Sequence, residues 1–220
     1  MRMNKINYQL ALDKIIEENQ KQQKVPSLLM HSCCAPCSSY CLTYLAQYFR
    51  ITIFYYNPNI SPETEYKKRV KEQIRLIQSL DVKYPISFVE GTYEPEKFYE
   101  MAKGLEEVKE GGIRCFACYE MRQREAACYA KEHGFAYFTT TLSVSPHKNA
   151  QKLNEIGLWL QEEVGVAYLV SDFKKKGGYL QSIELSKKYD LYRQDYCGCE
   201  FSKRQRERER IAKEKDSQKE

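Results

Sequence analysis

SLLMHSCCAPCSSYC, residues 27–41, carries four cysteines directly behind a short apolar run. The segment Ser27–His31 follows Pro26 and has the length and apolar character of a buried β-strand. A helix is predicted to follow from about Ser38 to Tyr48. This stretch therefore predicts the first strand of the fold, with a group of thiols at its carboxyl end.

The rest of the chain continues the alternation of strands and helices. Further strands are predicted at ITIFYYN from Ile51, PISFVEG from Pro85, FAYFTTTL from Phe135 and VAYLV from Val166. Helices are predicted at Tyr8–Gln22, at Glu63–Leu80, from Glu94, through GGIRCFACYEMRQREAACYAKEHG, at Lys148–Glu162 and at Gly178–Lys188. Strands separated by helices of this length predict an α/β fold, a parallel sheet with helices on both faces.

The architecture also predicts where the chemistry lies. Ligands of open α/β sheets bind outside the carboxyl ends of the strands. The thiols after the first strand, YNPNI after the second and TLSVSPHKN after the fourth are therefore expected to border one crevice.

Length and composition limit the class of protein. The chain has 220 residues, 42% hydrophobic and 30% charged, which is enough for a sizeable core. We predict an N-terminal helix in residues 1–25, one α/β domain in residues 26–202 and a charged tail in residues 203–220. No apolar run approaches the roughly 18 residues of a membrane span, and the N-terminus has no signal-peptide pattern. A cytoplasmic protein with no membrane partner is expected.

Nine cysteines require an explanation other than a disulfide framework, because cytosolic thiols are normally reduced. Cys33 and Cys34 are adjacent and thus poorly spaced for a structural disulfide. The C-x-x-C motif of Cys115 and Cys118 opens a predicted helix, whose N-terminus stabilises thiolates. Together these four supply enough thiolates for a 4Fe-4S cluster or for zinc. The cluster is favoured, because a vicinal pair is an uncommon chelate for one tetrahedral ion.

The remaining cysteines suggest other roles. In Cys197-Gly198-Cys199 the glycine allows the two sulfurs to meet in a strained and therefore reactive disulfide, which suits a two-electron redox pair. Cys41 and Cys128 are interpreted as packing residues. Cys37 lies one short turn beyond the vicinal pair and is left open between metal or substrate contact and packing.

Six motifs in order resemble one family. HSCCAPCSSY, YYNPNISPETEYKKR, RCFACYEMR, TTTLSVSPHKN, GGYLQS and LYRQDYCGC, between about Leu28 and Ser202, together resemble QueH, the epoxyqueuosine reductase of tRNA queuosine biosynthesis. The resemblance implies a HUP-like, nucleotide-binding-type three-layer sandwich and an iron–sulfur catalytic domain in residues 26–202. In place of a glycine-rich phosphate loop, the chain has SCCAPCSS, which argues against an ATP-dependent tRNA thiolase.

The resemblance also implies an activity and its residues. The reaction would be the last step of queuosine formation, two-electron removal of the epoxide oxygen from the modified wobble base of tRNA. The 4Fe-4S ligands, as cofactor-binding and metal residues, would be Cys33, Cys34, Cys115 and Cys118. The catalytic redox-active disulfide would join Cys197 and Cys199. Some similar proteins carry an acid in place of Cys37, which leaves open whether an additional iron binds there.

Partners follow from this activity. The enzyme would need a tRNA carrying epoxyqueuosine and an external electron donor, since the sequence has no dinucleotide fingerprint. Candidate phosphate contacts are Lys67, Lys68, Arg69, Lys174–Lys176 and the tail. Candidate proton donors are Asp195, His147 and Tyr196. Two other classes stay open: a zinc-stabilised RNA-binding module and a cluster-free thiol–disulfide oxidoreductase.

Overall fold

The structure is a computed structural model that describes residues 6–217. Its helices are α1 Tyr8–Lys21, α2 Ala35–Leu45, α3 Glu63–Ser79, α4 Pro95–Ala102, α5 Ile113–Glu132, α6 Ala150–Val164, α7 Gly178–Lys188 and α8 Glu200–Ser217. Its strands are β1 Ser27–His31, β2 Arg50–Tyr55, β3 Ser87–Glu90, β4 Tyr137–Thr140 and β5 Ala167–Tyr168. The predicted alternation of strands and helices is confirmed.

The five strands form one parallel sheet in the order β3-β2-β1-β4-β5. This order belongs to doubly wound α/β folds and confirms the predicted α/β class, a parallel sheet with helices on both faces. β1 lies at the centre, where His31 is level with Phe54 of β2 and Thr140 of β4. The carboxyl ends of the three central strands therefore meet beside the thiol-rich loop.

Two apolar layers cover the sheet because successive β1 side chains point to opposite faces. Leu29 packs in the cluster that contains Leu153 and Ile156 of α6. Leu28 and Met30 pack in the cluster that contains Leu42 and Leu45 of α2. All of these side chains except Ile156, at 7% exposure, are fully buried. The result is the predicted three-layer arrangement of helix, sheet and helix.

Helix α2 begins at Ala35, three residues before its predicted start. Pro36 lies in its first turn, where the missing N–H has no intrahelical partner to lose. Cys34 is consequently the N-cap residue, and Cys37 lies within the helix. This early start brings Cys37 into the first turn of the helix, close in sequence to Cys33 and the N-cap residue Cys34.

The first and last elements of the described residues are both helices. Leu12 and Ile16 of α1 are buried in the core, so the N-terminal helix packs on the α/β domain. In α8, Phe201 and Ser202 are buried, whereas most side chains from Lys203 to Lys215 are exposed. Within residues 6–217, no helix has the length and apolar character needed to cross a membrane.

Candidate active site

Three thiols gather where β1 passes into α2. The sulfurs of Cys33 and Cys34 are 3.9 Å apart, and those of Cys33, Cys34 and Cys37 all lie within 4.8 Å of one another. Thiolates that share one tetrahedral ion at about 2.3 Å stand about 3.8 Å apart. This triad therefore has the spacing and the chemistry of a metal site.

Hydrogen bonds among the three thiols shift their pKa values in opposite directions. Hydrogen bonds from Cys34 and Cys37 hold the pKa of Cys33 well below its usual 9.0. The bond to Cys33 correspondingly raises the pKa of Cys34 to about 12 and that of Cys37 well above 9.0. Cys33 is therefore the thiol of the triad that ionises first.

A buried polar group lies behind the triad. His31 contacts Thr140 Oγ1 through Nδ1 at 3.0 Å and the Tyr56 carbonyl through Nε2 at 3.1 Å. Burial and the neighbouring Arg122 lower the pKa of His31 to about 3, so it is neutral near pH 7. Arg122 donates to Asn57 Oδ1 at 2.7 Å, and Asn57 donates to the Ser32 carbonyl at 2.8 Å. His31 is therefore a hydrogen-bonded histidine at a strand end.

A second group of thiols lines a small cavity beside α5. Its members are Cys115 and Cys118 from the first turns of that helix and Cys197 and Cys199 from the loop before α8. The N–H of Gly111 donates to Cys115 Sγ at 3.2 Å. Burial raises the pKa of Cys115, and it raises that of Cys118 to about 12. Burial therefore disfavours thiolates at Cys115 and Cys118 unless a positive charge compensates them.

Arg122 lies between the two thiol groups. Its Nη1 is 3.9 Å from Cys118 Sγ, and its Nε is 3.3 Å from His31 Nε2, beside the triad. Burial alone would lower the pKa of Arg122, but the charges of Cys118, Cys33 and Cys197 raise it overall. The predicted ligands Cys33 and Cys34 thus belong to one group and Cys115 and Cys118 to the other, with a fixed cation between them.

Hydrogen bonds to its backbone carbonyls hold the segment Cys197-Gly198-Cys199 in place. The Cys197 carbonyl accepts from Arg69 Nη1 at 3.2 Å, and the Gly198 carbonyl accepts from the Ser61 N–H at 3.0 Å. Gly198 has a φ of +118°, which side chains rarely adopt. Cys197 and Cys199, like the other cysteines of the chain, are free thiols. The segment is therefore arranged by its glycine and its hydrogen bonds without a disulfide.

An open cleft of about 300 Å³ connects the two thiol groups to solvent. Its lining includes Cys33 and Cys37 of the triad, together with Lys148 and Cys197. The three candidate proton donors also line it, and they are Asp195, His147 and Tyr196. A cleft of this size accommodates a small ligand or a single base.

Sequence reasoning missed several residues of the site. Arg122 is four residues after Cys118, a spacing that puts both on one helix face and could have been noticed. Lys148 lies in the SPHKN segment, yet its partners are distant in sequence. Asn59 and Tyr119 also line the cavity of the second thiol group, and their side-chain polar atoms are buried without a protein partner.

Two interpretations of individual residues were wrong. Arg69 is 1% exposed and pairs with Glu65 at 2.7 Å, so it is a buried structural cation and does not face solvent as a phosphate contact would. Cys128 is exposed and does not pack in the core. Cys41 is fully buried, which confirms its packing role.

Comparison with known proteins identifies similar sequences. A family model described as epoxyqueuosine reductase QueH matches residues 28–205. The epoxyqueuosine reductase QueH of Staphylococcus epidermidis is 47% identical over 206 residues, covering 92% of this chain and 87% of that protein. That of Streptococcus pyogenes is 42% identical over 200 residues, covering 90% and 78%. Among solved structures, NMN synthetase from Francisella tularensis aligns with a TM-score of 0.43 and 13% identity, covering 84% of this chain and 70% of that chain.

Proposed function

Because the chain belongs to the QueH family of epoxyqueuosine reductases, we propose that its two thiol groups form one iron–sulfur redox centre that acts on tRNA. The family activity is an oxidoreductase reaction on an epoxide. Converting the epoxide to an alkene and water consumes two electrons and two protons. The residues around the cleft must therefore provide a source of electrons, a source of protons and a site for the oxygen. A tRNA substrate also supports a cytoplasmic location.

The proposed cluster ligands are Cys33, Cys34, Cys115 and Cys118. Cubane clusters are held by four thiolates, and these cysteines supply four from two rigid helix starts. The Arg122 guanidinium between the two pairs offsets part of the negative charge that four thiolates would bring. Cys37 is the third thiol of its group and is the ligand available to an additional iron.

Orphaned polar atoms support an occupant beside Cys115 and Cys118. Both amide atoms of Asn59 and the Tyr119 hydroxyl are buried without a partner and line that cavity. An unpaired buried polar atom costs about 1–3 kcal/mol, so such groups are rare unless something bonds to them. A cluster whose sulfurs accept hydrogen bonds would satisfy the two donors among them, Asn59 Nδ2 and the Tyr119 hydroxyl. This is the observation that carries the cofactor assignment.

Each part of the site then has a chemical task. A bound iron–sulfur cluster would supply electron transfer and, at an iron with an open position, a Lewis acid for the epoxide oxygen. Cys197 and Cys199 can release two electrons by forming a disulfide. Asp195, His147 and Tyr196 line the cleft as candidate proton donors. The external reductant would return the disulfide to the dithiol.

The test is turnover by anaerobically reconstituted enzyme. The enzyme is incubated with dithionite and tRNA that carries epoxyqueuosine, and the nucleosides are analysed by mass spectrometry. Conversion to queuosine is expected for the wild type and for Cys128→Ser, whose thiol is exposed and outside the site. Cys33→Ser and Cys118→Ser should abolish conversion. Full activity of Cys197→Ser would exclude the redox-pair role, and no conversion by wild type with an intact cluster would exclude the function.

The triad raises a second candidate, a zinc-stabilised RNA-binding module. Its support is the 3.9 Å separation of the Cys33 and Cys34 sulfurs, which suits one tetrahedral ion. That protein would be colourless, would contain zinc without sulfide and would show no turnover.

A further inference from the structure

Arg122 is a buried cation without a carboxylate partner. Its side chain is fully buried, its Nη2 donates to Asn57 Oδ1 at 2.7 Å, and its Nε lies 3.3 Å from His31 Nε2. Neither an amide nor an imidazole neutralises a guanidinium. Among residues 6–217, no aspartate or glutamate forms an ion pair with Arg122, whereas the similarly buried Arg69 pairs with Glu65 at 2.7 Å. The carboxylates of the described residues therefore leave the charge of Arg122 uncompensated.

A charge in this position is costly. Arginine stays protonated in proteins, so Arg122 cannot avoid the cost by losing its proton. A buried charge costs free energy unless an opposite charge pairs with it. The side chain of Arg122 also lines the cavity of the second thiol group. The position therefore favours a negatively charged occupant of this cavity.

Helix α5 aligns Arg122 with two of the proposed cluster ligands. Cys115, Cys118 and Arg122 are spaced i, i+3 and i+7, which puts them on one helix face. Arg122 Nη1 lies 3.9 Å from Cys118 Sγ. The contact with His31 brings the same guanidinium to the end of β1, from which the chain continues to Cys33. Arg122 is therefore in place to interact with negative charge held by both pairs of thiols.

We propose that Arg122 is the charge-compensating residue of the proposed iron–sulfur cluster and raises its reduction potential. This role rests on the proposed cluster and its four ligands. It assigns a task to a buried cation that binds no substrate atom and moves no proton. A cluster with a raised potential is easier to reduce, so it accepts electrons from weaker external donors.

The direction of the effect follows from the change in charge. Accepting one electron from the external reductant makes a cluster one charge more negative, while no bond to Arg122 forms or breaks. A nearby fixed cation stabilises the more negative form more strongly, and local net charge is one of the factors that set cluster potentials. The cation therefore shifts the equilibrium toward the reduced cluster.

The magnitude follows from the short distance. At an effective dielectric constant of about 20, two unit charges about 12 Å apart interact strongly enough to change an equilibrium about tenfold. Arg122 Nη1 is much closer than that to the sulfur of Cys118, at 3.9 Å. Removing the cation should therefore reduce the ratio of reduced to oxidised cluster at least about tenfold at a fixed potential. For a one-electron couple this lowers the midpoint potential by at least about 59 mV.

An anaerobic redox titration of the reconstituted full chain measures this shift. Dithionite and redox mediators set the potential, and the visible absorbance of the cluster gives its reduced fraction. Iron and acid-labile sulfide are measured first, so that only variants carrying the full cluster are compared. The readout is a midpoint potential, which depends on neither turnover nor tRNA.

Arg122→Gln removes the cation and should lower the midpoint by at least about 59 mV. Arg122→Lys keeps a positive charge and should stay nearer to the wild type. Asn57→Asp places a carboxylate oxygen where the amide oxygen lies 2.7 Å from Nη2, so it should lower the midpoint while Arg122 is still present. Arg124→Gln is the matched control on the same helix. Its side chain is 34% exposed and pairs with Glu163, so the ratio should change less than about threefold.

The possible contradictions are distinct. Equal midpoints in the wild type and in cluster-loaded Arg122→Gln would overturn the proposal while leaving the cluster intact. Equal losses in Arg122→Gln and Arg122→Lys would assign the effect to packing instead of charge, which would also overturn it. If Arg122→Gln does not retain a cluster, Asn57→Asp decides, and an unchanged midpoint in that variant would contradict the role of Arg122. A wild-type chain that binds no cluster would overturn the proposed redox centre itself, and this role with it.

Discussion

Replacing Arg69 by methionine should destabilise the protein through the loop that carries Cys197. Arg69 is 1% exposed, its Nε donates to Glu65 at 2.7 Å, and its Nη1 donates to the Cys197 carbonyl at 3.2 Å. Breaking a buried ion pair costs about 3–5 kcal/mol because the partner charge stays behind. Glu65 is 11% exposed and retains some hydration, so we expect about 3 kcal/mol.

Thermal unfolding followed by circular dichroism measures this effect. At about 2–4 °C per kcal/mol for a chain of this size, Arg69→Met should lower the Tm by roughly 6–12 °C. Lys67→Met, on the same helix, removes an exposed pair with Glu63 and should cost at most about 1 kcal/mol. Adding Glu65→Gln to Arg69→Met should recover part of the loss, since no unpaired carboxylate then remains.

Two outcomes would refute this reasoning. Equal Tm losses for Arg69→Met and Lys67→Met would mean that the buried pair of Arg69 and Glu65 stabilises the protein no more than an exposed pair does. A shallower salt dependence of tRNA binding in Arg69→Met would mean that the residue contacts phosphate after all, because each lost phosphate contact reduces that slope.

Three further perturbations test other parts of the account. Gly198→Ala places a Cβ 3.0 Å from Arg69 Nη1 and Ile60 Cγ1 at a φ of +118°, so it should lower the free energy of unfolding in urea by about 1–3 kcal/mol. Gly104→Ala, at a φ of +79° with open space around it, should lower this free energy less, and the reverse order would contradict the packing. Hydrogen bonds from Lys176, Gln9 and Tyr44 outweigh burial and lower the pKa of Asp13. Asp13→Asn should therefore be about 1 kcal/mol less stable than the wild type at pH 7, and this difference in stability should vanish as the pH falls below 3.8. A stability difference that persists at that low pH would contradict the assignment. Brief treatment of the native holoenzyme with iodoacetamide should label the exposed Cys128 first, and initial labelling at Cys115 or Cys118 would contradict their burial.

Local sequence patterns predicted most of the fold. Ser27–His31 and Gly178–Lys188 were predicted with the bounds that the structure has, because apolar periodicity and glycine or proline punctuation mark them clearly. The start of α2 was predicted three residues late, because residues 35–37 show no helical spacing of apolar side chains. Pro36 was the signal for the earlier start, as proline favours the first turn of a helix.

The candidate site was less predictable because its decisive contacts are non-local. Lys148 meets Glu110 and Cys197, which are 38 and 49 residues away in sequence. In the sequence Arg69 is the third of three consecutive cations that were all expected to be exposed. Its position on the helix faces the protein interior, whereas Lys67 is exposed. Side-chain burial of this kind depends on what packs against a helix. The proximity of Cys37 to Cys33 and Cys34, by contrast, follows from their spacing across the first turn of α2.

The central claim is that thiols from the end of β1 and from the start of α5 hold one iron–sulfur cluster. Iron and acid-labile sulfide per chain, measured after anaerobic reconstitution, test it most directly in the wild type, Cys33→Ser, Cys115→Ser and Cys128→Ser. The account predicts about four sulfides and at least four irons in the wild type and in Cys128→Ser. Both other variants should lose the cluster. Stoichiometric zinc without sulfide, or a full cluster in either Cys33→Ser or Cys115→Ser, would contradict it.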